Sequence, residues 1–328
     1  MKRILVTGAG GQIGSWLVPA LRKTYGPGAV VATDIHLSAL GHLNGGPSQI
    51  LDCTDRSALG QAVMRHRADT IYHLAAILSA VGEKDPKLAY NVNMGGLHAV
   101  LEVARQQECS VFTPSSIGVF GPETPRDPTV QNTITRPRTM YGITKVAGEL
   151  LCDYYHQRYG VDTRGVRYPG LISYGAPPGG GTTDWAVEIF HHAVRDGHYT
   201  CFLGADVQLD MMYMPDAIRA ATEIMEANPA KLTHRNAFNV TAMQLSPASL
   251  TAEIKKHLPD FTIDHDIDPV REGIARTWPL RLDDTPAREE WGWQPEFDMA
   301  TMTADMIKHI TTEVSDSQDS TESSHATE

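Results

Sequence analysis

The sequence predicts an α/β fold, a doubly wound parallel sheet with a smaller C-terminal substrate lobe. Three observations predict it. A short apolar run ends in a glycine-rich turn, strand-like runs alternate with helical periodicity up to about residue 170, and a looser, proline-interrupted pattern follows. The 328 residues are enough for one large α/β domain with an appended lobe.

Residues 2–7 read as a buried-type strand and residues 8–14 as the glycine turn. Residues 15–23 read as a helix carrying apolar Trp16, Leu17, Ala20 and Leu21. Residues 29–34 form a second strand, and 69–74 and 110–115 two more, with helical stretches between them. In 141–159, Val146, Ala147, Leu150, Leu151, Tyr154 and Tyr155 recur at helical spacing, and Gly160 supplies the stop. Residues 165–168 give the next strand, 177–181 a Pro/Gly loop and 183–196 a further helix. The division expected is a sheet domain with the 141–159 helix over 1–170, then 171–314 as mainly the smaller lobe with some returning sheet-domain elements. The Ser/Thr/Asp/Glu segment 315–328 cannot bury a core and is expected to be disordered.

Formal charge is −11, and the last fourteen residues hold four acids and no Lys or Arg, which leaves −7 on the rest. An acidic body without a basic stripe excludes nucleic acid and anionic membrane as partners. No apolar run approaches the roughly 18–20 residues of a membrane span. The run from Ile4 reaches Gly8 too soon for a signal peptide. Cys53, Cys109, Cys152 and Cys201 are far apart with no CxxC, so reduced thiols in a cytoplasmic protein are expected rather than a disulfide frame or a zinc site. The fourteen histidines show no metal-ligand spacing, and no metal is expected. His191 and His192 read as a solvated helix face.

The turn Thr7-Gly8-Ala9-Gly10-Gly11-Gln12-Ile13-Gly14 lies between a strand and a helix. Glycines at 8, 11 and 14 let backbone approach a diphosphate, and the helix start presents free N–H groups and a positive dipole end. Gln12 and Ile13 belong to the same turn. Asp34 follows Gly14 by twenty residues, at the end of the second strand, where its carboxylate suits both ribose hydroxyls of an adenosine and repels a 2′-phosphate. No Arg or Lys follows it in Ile35-His36-Leu37, so NAD is expected over NADP. Leu51-Asp52-Cys53 either brings a carboxylate near the adenine amino group or caps the following helix. His73-Leu74-Ala75-Ala76 closes a strand with small residues that suit backbone packed on a dinucleotide, although His73 itself reads as a packed histidine.

Tyr141-Gly142-Ile143-Thr144-Lys145 opens the amphipathic helix and sets a phenol and an ammonium one turn apart. A phenol titrates near 10, so a base at neutral pH requires a shift of roughly 3–4 kcal/mol. One cation at about 4 Å in an effective dielectric of about 20 supplies roughly that much. Lys145 with the positive nicotinamide ring is therefore expected to make Tyr141 the base.

The combination of Thr7-Gly8-x-x-Gly11-x-x-Gly14, Asp34, Ser115-Ser116 and Tyr141-x-x-x-Lys145 resembles an extended short-chain dehydrogenase/reductase, the group with a Rossmann fold that contains the nucleotide-sugar epimerases. The resemblance covers essentially residues 1–310. It implies that Ser116 hydrogen-bonds the substrate oxygen, Tyr141 takes its proton and Lys145 holds the nicotinamide ribose. It further implies that Asn93 supports the site from a helix, that Tyr168-Pro169-Gly170 passes beside the nicotinamide, and that two copies pair as a homodimer.

Two departures separate the chain from the sugar epimerases. Arg167-Tyr168-Pro169-Gly170 stands where they carry Arg-Tyr-Phe-Asn, and Leu209 in Leu209-Asp210-Met211 stands where an arginine clamps the diphosphate. A diphosphate without its cation is poorly neutralised, so a small substrate is expected. Residues 177–185 (Pro-Pro-Gly-Gly-Gly-Thr-Thr-Asp-Trp) offer amides, the hydroxyls of Thr182 and Thr183 and the carboxylate of Asp184, groups that suit a zwitterion. Otherwise Thr183 or Asp184 caps the next helix. This loop, Tyr174-Gly175, Ser79, Pro114-Ser115-Ser116-Ile117, Trp278-Pro279, Asp283-Asp284 and Trp291-Gly292-Trp293 resemble the short-chain type of L-threonine 3-dehydrogenases. That resemblance implies NAD-dependent oxidation of L-threonine to 2-amino-3-oxobutanoate. Ser79, Ser116, Tyr141, Thr182, Thr183 and Asp184 would contact the substrate, and Trp278 would belong either to lobe closure or to packing. The other readings are a nucleotide-sugar epimerase or dehydratase and a regulator that senses NAD without catalysis.

Overall fold

The computed structural model describes residues 1–36, 38–175 and 181–325. Strand β1 (Ile4–Thr7) is buried at all four positions, as a strand covered on both faces must be. The glycine turn leads into helix α1 (Gly14–Tyr25), which Gly26 ends at φ 94°. Next come β2 (Val30–Asp34), β3 (Ser48–Ile50) and α2 (Arg56–His66), the last capped by the Asp55 carboxylate, which accepts the Ala58 N–H at 3.0 Å. Then β4 (Thr70–His73), α3 (Ser79–Lys84), α4 (Pro86–Gln107), β5 (Ser110–Phe112) and β6 (Ser115–Ser116) follow. Helix α5 (Met140–Tyr159) starts where the Thr139 hydroxyl accepts the Gly142 N–H at 3.1 Å and stops at Gly160, φ 72°. It leads to β7 (Thr163–Arg164).

The main sheet runs β3-β2-β1-β4-β5-β7, with every neighbouring pair parallel. The chain winds outward from β1 to β3 and then returns to β4 on the other side of β1. That reversal opens a crevice at the C-terminal ends of β1 and β4, and the glycine turn emerges into it.

The rest of the chain is β8 (Val166–Tyr168), β9 (Gly170–Ile172), α6 (Trp185–Arg195), β10 (His198–Cys201), β11 (Leu209–Tyr213) and α7 (Met214–Glu226). It continues through β12 (Phe238–Asn239), β13 (Met243–Leu245), α8 (Pro247–Ile254), β14 (Thr262–His265), α9 (Pro269–Ala275), α10 (Thr285–Trp291) and α11 (Met299–His325). Three small sheets result, β12-β8-β6, β13-β11-β9 and β10-β14. The first sets Ser116 beside Tyr168 in register. The lobe has its own core around Trp185, Phe190, Tyr213, Phe261 and Met306. Helix α7 returns instead to the sheet domain, packing Met214, Ala217, Ala221 and Ile224 with Leu17 and Leu21 of α1.

The backbone of α11 continues helical to His325, through a segment whose composition predicts disorder. A helix closes its own i to i−4 hydrogen bonds and needs no core to do so. Residues 326–328 lie outside the described part. Among the described residues no helix is long and apolar enough to cross a membrane, and all four cysteines are buried free thiols.

One buried cation shapes the wall of the crevice. The Arg22 guanidinium donates to the carbonyls of Leu43 and Pro47 at 2.7 Å each, and to those of Val30 and Asn44 at 3.3–3.4 Å. It thereby ties Leu43, Asn44 and Pro47 to α1 and to the start of β2. A Cβ on Gly10 would lie 2.6 Å from the Ala39 carbonyl oxygen.

Candidate active site

Gly8 adopts φ 67° directly under the chain that follows β4. A Cβ there would lie 2.6 Å from Ala75 N and 2.8 Å from Ala75 Cα, so only hydrogen fits. A Cβ on Gly14 would lie 2.5 Å from the Ala9 carbonyl oxygen, which seats α1 on the turn. Gly11 is exposed, with only the Gly8 oxygen near its open side at 3.3 Å. Gln12 and Ile13 are half-buried, and Ile13 stands at the start of α1 with no side-chain cap, so no side chain takes the first N–H groups. The Asp34 carboxylate is fixed beside this turn, accepting the Gly10 N–H at 3.1 Å on one oxygen and the His36 N–H at 3.3 Å on the other. A bare backbone cradle at a helix start with a fixed acid at the end of β2 is the donor and acceptor set a dinucleotide requires, and NAD fits it.

Asp52 is exposed, and one of its oxygens accepts both the N–H and the hydroxyl of Thr54, at 2.8 and 2.7 Å. It does not cap α2, a role that Asp55 takes. Cys53 is buried against α4, where a Cβ on Gly96 would lie 2.9 Å from its Sγ, and burial pushes its thiol up to about 11. His73 pairs with the Thr7 hydroxyl at 2.8 Å. Burial, then the field of Lys145, pushes it down to about 3, so it is a neutral packed histidine. Leu74 continues the β1–β4 pairing through its N–H to the Thr7 carbonyl at 3.1 Å. Ala75 and Ala76 line a cavity of about 30 Å³ together with His73, Asn93 and Lys145.

Tyr141 is the second residue of α5, and Ser116 ends β6. The two meet over Gly118, whose Cβ, if present, would lie 3.1 Å from Tyr141 Cε1 and 3.5 Å from Ser116 Oγ. The Ser116 hydroxyl accepts the Gly118 N–H at 3.1 Å. Lys145 donates from Nζ to the Pro114 carbonyl at 2.7 Å and lies 5.5 Å from the centre of the Tyr141 ring. Burial raises the phenol above its usual range while the Ser116 hydrogen bond pulls it down, and burial lowers Lys145 to about 8. In the protein alone desolvation is the largest influence on the phenol, and the Lys145 ammonium is hydrogen-bonded to a backbone carbonyl.

Residues 4–241 match the NAD dependent epimerase/dehydratase family. The chain belongs to this family. It is 52% identical over 311 residues to an uncharacterized epimerase/dehydratase of Staphylococcus haemolyticus, covering 94% of this chain and 98% of that one. The solved structure of L-threonine dehydrogenase from Clostridium difficile is 49% identical, with a TM-score of 0.94, covering 95% of this chain and 98% of the other. The holo form of a GalE-like L-threonine dehydrogenase from Cupriavidus necator is 48% identical, with a TM-score of 0.92, covering 94% and 99%. The protein is thus an extended short-chain dehydrogenase/reductase with a Rossmann-like fold, and an enzyme of an NAD-dependent family.

In this epimerase/dehydratase frame the remaining residues fall as follows. Asn93 has its side chain engaged by the protein itself: it accepts the Ile77 N–H at 2.7 Å and donates to the Ile77 carbonyl and the Thr144 hydroxyl, both at 3.1 Å. Tyr168 turns its side chain into the core and donates its hydroxyl to the Ala217 carbonyl at 2.6 Å, so that only its backbone and Pro169 border the site strand. Leu209, where sugar epimerases place a cation, is fully buried in the lobe core.

Ser79 begins α3 and is half-buried. Thr182 is buried, and Thr183 lies against β9, its Cγ2 2.7 Å from where a Gly170 Cβ would stand. Gly170 lies two residues beyond Tyr168, the register partner of Ser116, and Thr183 sits beside it. Asp184 does not cap α6 with its side chain, and its carboxylate accepts the Gly181 N–H at 2.7 Å. Pro177, Pro178, Gly179 and Gly180 of the same loop lie outside the described residues. Trp278 packs between the lobe core and the cluster of Ile117, Val119, Phe120 and Leu282, with its carbonyl accepting Arg126 Nε at 2.7 Å.

Sequence reasoning missed Glu149, Arg167 and Thr144. Glu149 follows Lys145 at i+4 on α5 and pairs with Arg167 of β8 at 2.8 Å. The helical spacing could have revealed Glu149, whereas its partner follows only from the β6–β8 pairing.

Proposed function

We propose that this enzyme oxidises the 3-hydroxyl of L-threonine to 2-amino-3-oxobutanoate, with NAD⁺ as acceptor. The observation that carries the reading is the likeness, along 95% of the chain, to a solved L-threonine dehydrogenase. The Ser116–Tyr141 meeting over Gly118 supports it, as does a buried leucine where a sugar diphosphate would need a cation.

In this reading Gly8, Gly11, Gln12, Ile13, Gly14 and Asp34 hold the dinucleotide, and Lys145 holds its nicotinamide ribose. Bound NAD⁺ supplies the hydride acceptor and a positive ring. Ser116 holds the substrate hydroxyl oxygen, and Tyr141, as phenolate, removes its proton. The hydroxyls of Thr182 and Thr183 take the amino-acid carboxylate, Asp184 takes the ammonium, and Ser79 borders the head group. Closure of the lobe excludes water. Two copies pair through α4 and α5, which expose Leu88, Tyr90, Leu150, Tyr154 and Tyr159.

The family also supports a second reading, an epimerase or dehydratase acting on a sugar nucleotide. A panel of L-threonine, small hydroxy acids and sugar nucleotides, each with NAD⁺ and with NADP⁺, separates the two. Appearance of NADH with L-threonine and NAD⁺ is expected. No turnover of any hydroxy amino acid, with conversion of a sugar nucleotide, would overturn the proposal.

A further inference from the structure

Lys145 works from inside the protein, and the acid nearest to it along α5 is Glu149, one helical turn further on. Both side chains line the same cavity of about 30 Å³. Glu149 is held on every side. Its Oε1 accepts Arg167 Nε at 2.9 Å and the Ser115 hydroxyl at 2.5 Å, and its Oε2 accepts a terminal Arg167 nitrogen at 2.8 Å. The two side chains are about nine-tenths buried, 10% and 9% exposed. Arg167 also donates to the Gln131 carbonyl at 2.9 Å and to Asn239 Oδ1 at 3.2 Å, and its guanidinium lies 5.4 Å from the centre of the Phe120 ring. A bidentate pair saturated in this way has one geometry open to it.

The pair is joined to both halves of the reactive centre. Ser115, which Glu149 grips, lies between Ser116 and Pro114, the residue whose carbonyl takes the Lys145 ammonium. Ser115 is also the register partner of Arg167, as Ser116 is of Tyr168.

We propose that Glu149, held by Arg167, is a positioning residue for the reaction: it fixes β6, and with it the Ser116 hydroxyl and the Pro114 carbonyl, and it supplies the buried negative charge that faces Lys145. The groups around the ammonium leave this charge to Glu149. His73 of β4 is neutral, the Cys152 thiol of α5 is pushed above its usual range, the Tyr141 phenol is raised by burial, and the Arg167 charge of β8 is engaged by Glu149 itself. Burial depresses Lys145, and Glu149 is the first of the groups that oppose this. The proposal rests on the dehydrogenase chemistry assigned above only in calling Lys145 functional. It does not depend on which alcohol is oxidised.

The decisive measurement is the titration of Lys145 in the cofactor-free protein. It is followed by carbon NMR of lysines labelled at Cε, the signal being assigned by its loss in Lys145→Arg. In the native chain the midpoint is expected near 8. In Glu149→Gln, and in Glu149→Gln/Arg167→Met, which removes both buried charges together, it should fall by about one pH unit or more, and Glu149→Asp should restore most of it. The alkaline limb of kcat/KM for the alcohol that turns over should move down with it. An unmoved midpoint in a folded double variant, or a uniform loss of kcat with no movement of the limb, would overturn the proposal. Should both charge variants fail to fold, Ser115→Ala decides: it keeps the ion pair, and it must lower kcat while leaving the melting temperature and the KM for NAD⁺ in place. A normal kcat in that variant would sink the idea. Failure of L-threonine as substrate would leave the NMR result standing, so the two proposals fail separately.

Discussion

Asn93 of α4 donates its amide to the Thr144 hydroxyl of α5 at 3.1 Å, and that hydroxyl donates on to the Tyr141 carbonyl at 2.8 Å. The same amide clamps both backbone groups of Ile77, in the segment after β4. One side chain therefore ties two helices and the crevice wall to the residue that bears the phenol. Asn93→Ala is expected to lower stability by about 1–3 kcal/mol, because the Ile77 groups lose their partner, and to lower kcat more than it raises the KM for NAD⁺. Urea unfolding and steady-state kinetics check both. A variant of normal stability and kcat would show that the link does not matter.

Tyr141→Phe keeps the ring over Gly118 and removes only the hydroxyl. The oxidation rate should fall about 10²–10⁴-fold while NADH binding, measured by fluorescence, stays unchanged. Because burial raises this phenol, the difference in ultraviolet titration between native chain and variant should show a tyrosine that ionises later than a free one in the cofactor-free protein. Its midpoint should drop when NAD⁺ is added.

His73 makes acidity a stability variable. Its folded value is about 3 against an ordinary 6.5, so between these limits the unfolded chain binds a proton that the folded chain refuses. The contribution of His73 is complete above about pH 6.5 and is lost as pH falls toward 3, at up to about 1.4 kcal/mol per pH unit. Unfolding free energies of the native chain and of His73→Asn, measured from pH 7 to pH 4, should converge as pH falls. Parallel curves would contradict this.

Leu150 is 65% exposed and Tyr154 52% exposed on one face of α5. If two copies meet there, Leu150→Asp/Tyr154→Asp should halve the mass found by sedimentation equilibrium without lowering the melting temperature of the monomer fold. A native chain that sediments as a monomer would refute the pairing.

Much of the fold was legible because its strongest elements are those that local pattern specifies. The glycine turn, β1 and the 141–159 helix fall within a residue or two of their predicted positions, since a buried run and a capped amphipathic helix need no distant partner to be recognised. The exposed three-residue β3 and the return of α7 to the sheet domain were not legible, since each is defined by what it packs against. The site divides in the same way. Tyr141 and Lys145 are read from spacing and Ser116 from the family resemblance, and the structure sets Ser116 and Tyr141 together over Gly118 with Lys145 5.5 Å from the ring, whereas the grip of Arg167 on Glu149 crosses from a strand to a helix and leaves no periodic trace. Asp184 shows the limit from the other side, because composition alone could not say that its carboxylate would turn back to the Gly181 amide.

The guanidinium of Arg22 meets backbone oxygens alone, and among the described residues no carboxylate pairs with it. A cation so placed has no acid partner to be protonated and no counter-charge for added salt to displace. The stretch 43–47 that it holds is therefore expected to keep its shape across acidity and ionic strength. An incoming nucleotide meets a surface already set, with little ordering left to be lost on binding.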